Sequence, residues 1–168
     1  VGPQDVALDL IRTVFQPGTV KNAVLEFFGP GVANLAMDYR CGIDVMTTET
    51  ACLSSVWSTD DTTRRCLEVL GRGDAYRPMA PQEGAWYDDL VEIPLDQVEP
   101  MIALPFHPSN AYTIREFKEN AADLLHGVDE ATLKQFELKA PPAPLTEKLK
   151  NGEFYVDQAV IAGCSGGT

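Results

Sequence analysis

The stretch that decides the fold is residues 22–37, NAVLEFFGPGVANLAM. Its first seven residues, 22–28, are mostly apolar and β-prone, so they predict a short strand. Gly29-Pro30-Gly31 then predicts a turn, because proline fixes φ and glycine tolerates conformations closed to other residues. Residues 32–37 predict a short helix. A strand, a turn and a helix in this order are typical of α/β proteins.

The same alternation extends to both sides of this stretch. Before it, residues 6–14 carry apolar side chains at helical spacing and predict a helix that ends near Gln16-Pro17-Gly18. After it, the patterns predict a helical turn at 47–51, strands at 53–57, 89–95, 101–106 and 155–162, and helices from 61 to 70 and at 111–125, 129–138 and 145–150. Strands that alternate with helices predict α/β layers around a mainly parallel sheet.

Composition excludes several classes of protein. A chain of 168 residues can bury one core, and 45% hydrophobic with 23% charged residues argues against disorder or a fibre. Twenty-five acidic against 13 basic residues give a net charge of -12, which repels phosphate backbones and anionic lipids. We therefore expect no nucleic-acid partner and no membrane partner.

The cysteines indicate the cellular compartment of the protein, and the two ends of the sequence suggest whether it is part of a longer chain. Cys41, Cys52, Cys66 and Cys164 form no CxxC pair, which argues against a zinc site built within this chain. So few cysteines in an acidic chain indicate a reducing compartment, and no signal-like or membrane-spanning apolar run is present, so we expect a cytoplasmic protein. A first residue other than Met and the Gly-Gly-Thr ending suggest an excerpt of a longer protein.

The first candidate functional residue is Cys164, which follows the predicted strand at 155–162 and is flanked by glycines. Backbone N–H groups of a tight turn could stabilise a thiolate there. Such a sulfur could be an iron–sulfur ligand, an acyl-transfer nucleophile or an ordinary loop cysteine. The nucleophile needs a histidine partner, and the sequence offers only His107 and His126. Ala162 also stands where a nucleophile elbow has its first glycine.

The second candidate is Glu49, which lies among small neutral residues in 46–53, MTTETACL. Burial would favour its protonated form and would let it exchange protons or bind a metal-held hydroxyl. The alternative is a glutamate that caps a helix or faces solvent. His107, in the turn-like stretch 106–110, could approach a ligand or could be part of the surface.

Four stretches, taken in order, resemble the aconitase family of iron–sulfur hydro-lyases. They are 22–34 (NAVLEFFGPGVAN), 46–57 (MTTETACLSSVW), 89–110 (DLVEIPLDQVEPMIALPFHPSN) and 159–165 (AVIAGCS). The likeness extends over roughly residues 19–167. It implies a three-layer α/β/α fold with a mainly parallel sheet, like the aconitase iron–sulfur domain. It also implies that residues 1–108 form one family domain and that 109–168 begin the next, which stops after the first cluster cysteine.

The resemblance also implies an activity, namely a [4Fe-4S]-dependent hydratase or dehydratase acting on a hydroxy-carboxylic acid. Cys164 is then one cluster ligand, and Glu49 hydrogen-bonds to the departing hydroxyl and helps protonate it. The base, the two other cluster cysteines and most substrate-binding arginines belong to family segments that this sequence lacks. We therefore expect the chain to work with the remaining domains of a parent protein, to be inactive alone and to bind no cluster by itself.

Two departures from the family pattern keep other functions open. Val45 stands where the family commonly has Asn, and Ser165-Gly166 replaces the usual Thr-Asn after the cysteine. Both changes remove polar side chains. They favour the alternative of a non-catalytic α/β module for subunit association or ligand binding. A thiol hydrolase that uses Cys164 is a third possibility.

Overall fold

The structure is a computed structural model that describes residues 1–162, so Cys164 lies outside the described residues. In this part of the chain the α-helices are α1 (Pro3–Phe15), α2 (Met37–Met46), α3 (Asp61–Val69) and α4 (Ile114–Gln135). The strands are β1 (Val24–Phe27), β2 (Ser54–Trp57), β3 (Met101–Ala103), β4 (Ala111–Thr113), β5 (Leu149–Lys150) and β6 (Glu153–Phe154). Short 3₁₀ turns lie at Val32–Asn34, Thr47–Thr50, Gly73–Ala75 and Leu145–Lys148.

The N-terminal part is a β–α–β unit. Strands β1 and β2 pair in parallel, with Val24 opposite Ser54 and Phe27 opposite Trp57, and α2 lies in the connection between them. The rings of Phe27 and Trp57 stack at 4.3 Å between centroids. Helix α1 buries one apolar stripe, formed by Ala7, Leu10, Ile11 and Val14. Burial of this stripe stabilises the unit, since it removes apolar side chains from water.

A second core lies under α4. Leu104, Phe117, Ala121, Leu125 and Val128 are all buried there and contact one another. The antiparallel pair of β3 and β4 leads directly into α4, whose N-terminus is capped by the hydroxyl of the last β4 residue. The second antiparallel pair, β5 with β6, also contributes apolar side chains to this core.

Much of the predicted order of elements is confirmed. Helices α1 and α3, strands β1 and β2 and the helical turn before β2 lie within a few residues of the predicted positions. Strand β3 occupies the first half of the predicted strand at 101–106. The two helices predicted at 111–125 and 129–138 are one helix, α4, preceded by β4.

Two predicted strands are absent from residues 1–162, the helices predicted at 32–37 and 145–150 are only 3₁₀ turns at Val32–Asn34 and Leu145–Lys148, and one helix was not predicted. Residues 89–95 form no strand, because Pro94 removes a backbone donor and no neighbouring strand is available in the described residues. Residues 155–162 also form no strand, and Ile161 there is 94% exposed. Helix α2 was not predicted. Its buried face includes Arg40, whose charge interrupts the apolar periodicity that marks a helix.

The fold class is confirmed at its coarse level. Helices alternate with strands, and the one parallel pair of the described residues is joined through a helix. The sheets of residues 1–162 have two strands each, and two of these three pairs are antiparallel. Three layers around a mainly parallel sheet are therefore not assembled in this part of the chain. No helix within residues 1–162 combines the length and the apolar character needed to cross a membrane.

Candidate active site

Glu49 lies on a 3₁₀ turn, Thr47–Thr50, between α2 and β2. The threonines of this turn bond back to the backbone. Thr47 Oγ1 donates to the Asp44 carbonyl at 2.8 Å, and Thr50 Oγ1 donates to the Thr47 carbonyl at 2.6 Å. Such side-chain donors compete with the helical ladder, so a threonine-rich stretch favours a tight turn over a further turn of helix.

The turn ends at Ala51, which has φ 64° and ψ 20°. A side chain with a Cβ disfavours this left-handed conformation by roughly 1–2 kcal/mol. Backbone bonds on both sides offset this cost, because the Asn22 N–H donates to the Ala51 carbonyl and the Cys52 N–H donates to Thr50 Oγ1. Thr47 and Thr50 are consequently buried, whereas Glu49 points outward.

Helix α2 holds the turn against β2 through Asp44. One oxygen of this carboxylate accepts the Ser55 hydroxyl at 2.6 Å and the Trp57 indole N–H at 2.8 Å. Both donors belong to β2, so the helix before the turn and the strand after it are joined directly. The backbone that presents Glu49 is thus fixed at both ends.

The Glu49 side chain is 48% exposed, so the burial that would favour its protonated form is not present in this chain. The polar side chain that faces it within residues 1–162 is His107, with Nε2 3.9 Å from Oε2. This distance is too long for a hydrogen bond, but it leaves the two groups facing each other. The carboxylate is therefore open to a group that approaches from outside the described chain.

His107 is held on two sides. Its ring stacks on Phe15, at the end of α1, with 3.8 Å between centroids and 23° between planes. Its Nδ1 accepts the Ser109 backbone N–H at 3.1 Å and lies 2.9 Å from Ser109 Oγ. Because Nδ1 is an acceptor, the proton of the neutral ring lies on Nε2, the atom that faces Glu49.

The loop that carries His107 joins β3 to β4 and is itself closed by hydrogen bonds. The Leu104 N–H donates to the Asn110 carbonyl at 2.8 Å, and Asn110 Nδ2 donates to the Pro105 carbonyl at 2.8 Å. Three segments far apart in the sequence therefore meet here: the end of α1, the turn after α2 and the β3–β4 loop. We call Glu49, His107 and Phe15 the candidate site.

The other candidate residues lie elsewhere. His126 is on α4 and pairs with Glu130 one turn away, at 3.4 Å, with both side chains about two-thirds exposed. Cys41, Cys52 and Cys66 are free thiols. Among residues 1–162 no group of three or more His, Cys, Asp or Glu side chains could hold a metal ion.

The sequence singled out Glu49 as a candidate but did not predict that His107 lies beside it. His107 was singled out only as a residue of a turn-like loop, for which a surface position was the favoured alternative. Nothing in the local pattern of 106–110 indicates that Phe15 and Glu49 lie beside it, since both contacts are tertiary. The one local indication is the pair of prolines around Phe106-His107, which predicts a stiff loop.

The chain is an α/β segment that presents one carboxylic acid, Glu49, on a fixed turn. Comparison with known proteins shows which family it belongs to. The chain belongs to the aconitase family (aconitate hydratase), which matches residues 1–168. The resemblance seen in the sequence is thereby confirmed.

Individual relatives are similar over most of this chain. It is 32% identical over 119 residues to the 3-isopropylmalate dehydratase large subunit of Elusimicrobium minutum (strain Pei191), covering 71% of this chain and 28% of that protein. It is 33% identical over 113 residues to the same-named subunit of Campylobacter concisus (strain 13826), covering 67% and 27%. The 2,3-dimethylmalate dehydratase large subunit of Eubacterium barkeri is 33% identical over 119 residues, covering 71% and 28%. The chain thus spans under a third of the length of these relatives.

Proposed function

We propose that this chain is a segment of a [4Fe-4S]-dependent hydro-lyase that dehydrates or hydrates a hydroxy-carboxylic acid, and that it supplies one wall of the active site. The observation that carries the proposal is Glu49, a half-exposed carboxylic acid on a turn fixed by threonine hydrogen bonds, in a chain that belongs to the aconitase family. The chain alone would be inactive, since it spans less than a third of its dehydratase relatives.

The residues of this chain would provide part of the binding site for such a cluster, not the whole site. Cys164 would supply one sulfur, and the other cluster ligands would come from elsewhere in the parent protein. A bound cluster with an open iron supplies a Lewis acid for a hydroxyl group. Glu49 fits beside it as a proton donor, because no Lys or Arg of the described chain forms an ion pair with its carboxylate.

The role of Glu49 follows from the chemistry of dehydration. The C–O bond breaks with its electron pair remaining on oxygen, and Glu49 gives that oxygen a proton so that it leaves as water. The proton on the neighbouring carbon goes to a base that the family resemblance places outside this chain. A positioned acid of this kind contributes roughly 10²- to 10⁴-fold to the rate. Hydration is the reverse sequence, in which Glu49 takes the proton back.

The names of the relatives narrow the substrate class. Two are large subunits of 3-isopropylmalate dehydratases and one is the large subunit of a 2,3-dimethylmalate dehydratase. We therefore propose a substituted malate, which is a hydroxy-dicarboxylic acid, as the substrate. The partners of the chain would be this acid and the remaining domains or subunits of the parent.

The architecture proposed for the parent is finer than what residues 1–162 form. Residues 1–108 would belong to one three-layer α/β/α domain and 109–168 would begin the next. Val156, Val160 and Ile161 are exposed in this chain and are suited to a strand that pairs with another part of the parent. We propose the cytoplasm as its location, in keeping with the free thiols and the acidic composition.

The alternative is a non-catalytic α/β module that serves subunit association or ligand binding. Val45 favours it, since this residue is 39% exposed one turn before Glu49 and brings no polar group to the site. The hydro-lyase requires an iron–sulfur cluster, whereas the non-catalytic module does not. A module would keep its partner or ligand without iron, whereas the hydro-lyase would lose activity with the cluster.

The test is to purify the parent protein without oxygen, record its visible absorbance and iron content, and assay hydration and dehydration of substituted malates. We expect a brown cluster-containing enzyme, a Cys164→Ala variant that loses cluster and activity together, and a Cys66→Ala control that keeps both. A parent without iron, or a Cys164→Ala variant with an unchanged cluster, would contradict the proposed role of Cys164.

A further inference from the structure

We propose that His107 is the positioning residue of Glu49: its Nε2–H holds one carboxylate oxygen, so that Glu49 delivers its proton from the other. This inference rests on the proposed function, because it assigns His107 to the same reaction. It concerns a residue that contacts Glu49 rather than the substrate, and it is carried by the fixed geometry of the imidazole ring.

The first step is the tautomer. The Ser109 backbone N–H donates to Nδ1 of His107 at 3.1 Å, and the Ser109 hydroxyl lies 2.9 Å from the same atom. A neutral imidazole has one donor and one acceptor nitrogen. With Nδ1 accepting, Nε2 carries the hydrogen, and Nε2 is the atom that lies 3.9 Å from Glu49 Oε2. The ring therefore offers a donor, not an acceptor, to the carboxyl group.

The second step is rigidity. Phe15 covers one face of the ring at a centroid distance of 3.8 Å, and Ser109 fixes the Nδ1 edge. The ring lies in a loop closed by the Leu104–Asn110 backbone bond. Glu49, in contrast, has a long side chain that is half exposed. Catalytic hydrogen bonds are often long before substrate binds, so the gap of 3.9 Å can close to a hydrogen bond on binding.

The third step is the consequence for proton transfer. When Nε2–H donates to Oε2, the carboxyl proton of Glu49 must reside on Oε1. After Glu49 has given this proton to the departing hydroxyl, the negative charge on Oε2 keeps a hydrogen-bond donor, and bonds of that kind are about twice as strong as neutral ones. His107 thus fixes which oxygen acts and stabilises the carboxylate that results.

A second His–Glu pair in the chain shows what an ordinary surface pair looks like. His126 and Glu130 lie one turn apart on α4, at 3.4 Å, with side chains 67% and 69% exposed. Such exposed pairs contribute little and hold neither partner in one orientation. Unlike His107, His126 has no ring stacked against it among the described contacts. This pair is a matched control for both variants and spectra.

The first experiment measures the tautomer directly. In ¹⁵N NMR spectra of the 168-residue chain at neutral to mildly alkaline pH, we expect His107 to show a protonated Nε2 and an unprotonated Nδ1, whereas His126 averages over both tautomers. Glu49→Gln is expected to shift the Nε2 resonance of His107 and leave His126 unchanged, and Glu130→Gln to do the reverse. A His107 ring that averages like His126, or one insensitive to Glu49→Gln, overturns the pairing.

The second experiment measures the catalytic effect in the parent enzyme. His107→Phe keeps the stacking on Phe15 but removes the donor, so we expect kcat to fall by about 10- to 100-fold with KM little changed. His107→Gln, which restores an N–H donor, is expected to recover most of the loss, and His126→Phe to have no effect. Full activity of His107→Phe overturns the role. A parent without hydro-lyase activity in any variant contradicts the proposed function instead, and the NMR result then decides the pairing alone.

Discussion

The guanidinium group of Arg40 on α2 donates two hydrogen bonds to the carboxylate of Asp60, from Nη2 to Oδ2 at 2.6 Å and from Nη1 to Oδ1 at 3.1 Å. Arg40 is 2% exposed and also donates to the carbonyls of Val32 and Leu35. Asp60 caps the N-terminus of α3 by accepting the Thr63 N–H. This pair therefore ties α2, whose C-terminal end carries the Glu49 turn, to the next helix.

Replacing Asp60 by Asn is expected to lower the free energy of unfolding by about 3 kcal/mol, because it leaves the buried Arg40 charge unpaired. Asn is itself a good helix cap, so the loss reports the ion pair rather than the cap. Urea denaturation of the chain measures the change. The control is Asp61→Asn, whose side chain is 73% exposed and pairs with Arg64 on the same helix, with an expected change below about 0.5 kcal/mol. Equal losses in the two variants would contradict this account.

Stability should also depend on pH through Asp60. The hydrogen bond from Arg40 lowers the pKa of Asp60 from 3.8 to about 2 against the opposing effect of burial. A carboxyl group with a lowered pKa in the folded state stabilises the fold above its unfolded pKa and loses this effect as pH falls through its folded pKa. We expect the wild-type chain to lose stability more steeply than Asp60→Asn between about pH 4 and about pH 2. Parallel pH profiles of the two proteins would show that the pair contributes no pH dependence.

The turn that presents Glu49 should depend on Thr50. Its buried hydroxyl donates to the Thr47 carbonyl and accepts the Cys52 N–H, so Thr50→Val removes the acceptor of the Cys52 N–H and leaves the Thr47 carbonyl with only the weak Cys52 thiol donor at 3.4 Å. We expect a loss of about 1–3 kcal/mol in unfolding free energy. Thr48→Val is the control, since Thr48 makes a similar bond to the Val45 carbonyl but is exposed, and water can replace its hydroxyl. A loss of the same size at Thr48 would argue against the role assigned to burial.

The core under α4 should depend on Leu125, which is 0% exposed. Leu125→Ala leaves a cavity among closely packed neighbours and is expected to cost about 2–5 kcal/mol in unfolding free energy. The same substitution at Leu90, which is 73% exposed, removes no buried contact and is expected to change stability by less than about 0.5 kcal/mol. Thermal and urea unfolding monitored by circular dichroism would measure both. A Leu125→Ala variant as stable as Leu90→Ala would show that this core does not hold α4.

Part of the fold could be predicted because some segments carry their own signal. The strand and the turn of residues 22–31 follow from β-prone residues beside Gly-Pro-Gly, whereas the helix predicted at 32–37 is only a 3₁₀ turn at Val32–Asn34; the apolar stripe of α1 follows from helical spacing. Helix α2 could not be found this way, since Arg40 occupies a core position only because Asp60 comes to it from α3. The strand predicted at 155–162 has the right composition, but a strand also needs a partner, and none lies beside it within residues 1–162.

The candidate site, like the fold, has one part that the local sequence indicates and another part that depends on tertiary packing. Glu49 could be singled out as a candidate from its small, neutral neighbours, and the threonines around it explain the turn that presents it. His107 could not be assigned, because its relation to Glu49 depends on how α1 and the β3–β4 loop pack. Of the two alternatives that the sequence left open for Glu49, the structure shows the solvent-facing one, since the outer side of the turn is open and the side chain is 48% exposed.

The central claim is that Glu49 transfers a proton in a hydro-lyase, and the most direct test is kcat of the parent enzyme and its Glu49→Gln variant at matched iron content. Gln keeps the size of the side chain but carries no acidic proton, so we expect kcat to fall by about 10²-fold or more while the cluster absorbance stays unchanged. Glu130→Gln, at the exposed pair on α4, is expected to keep full activity. A Glu49→Gln enzyme that turns over its substrate at the wild-type rate would contradict the claim.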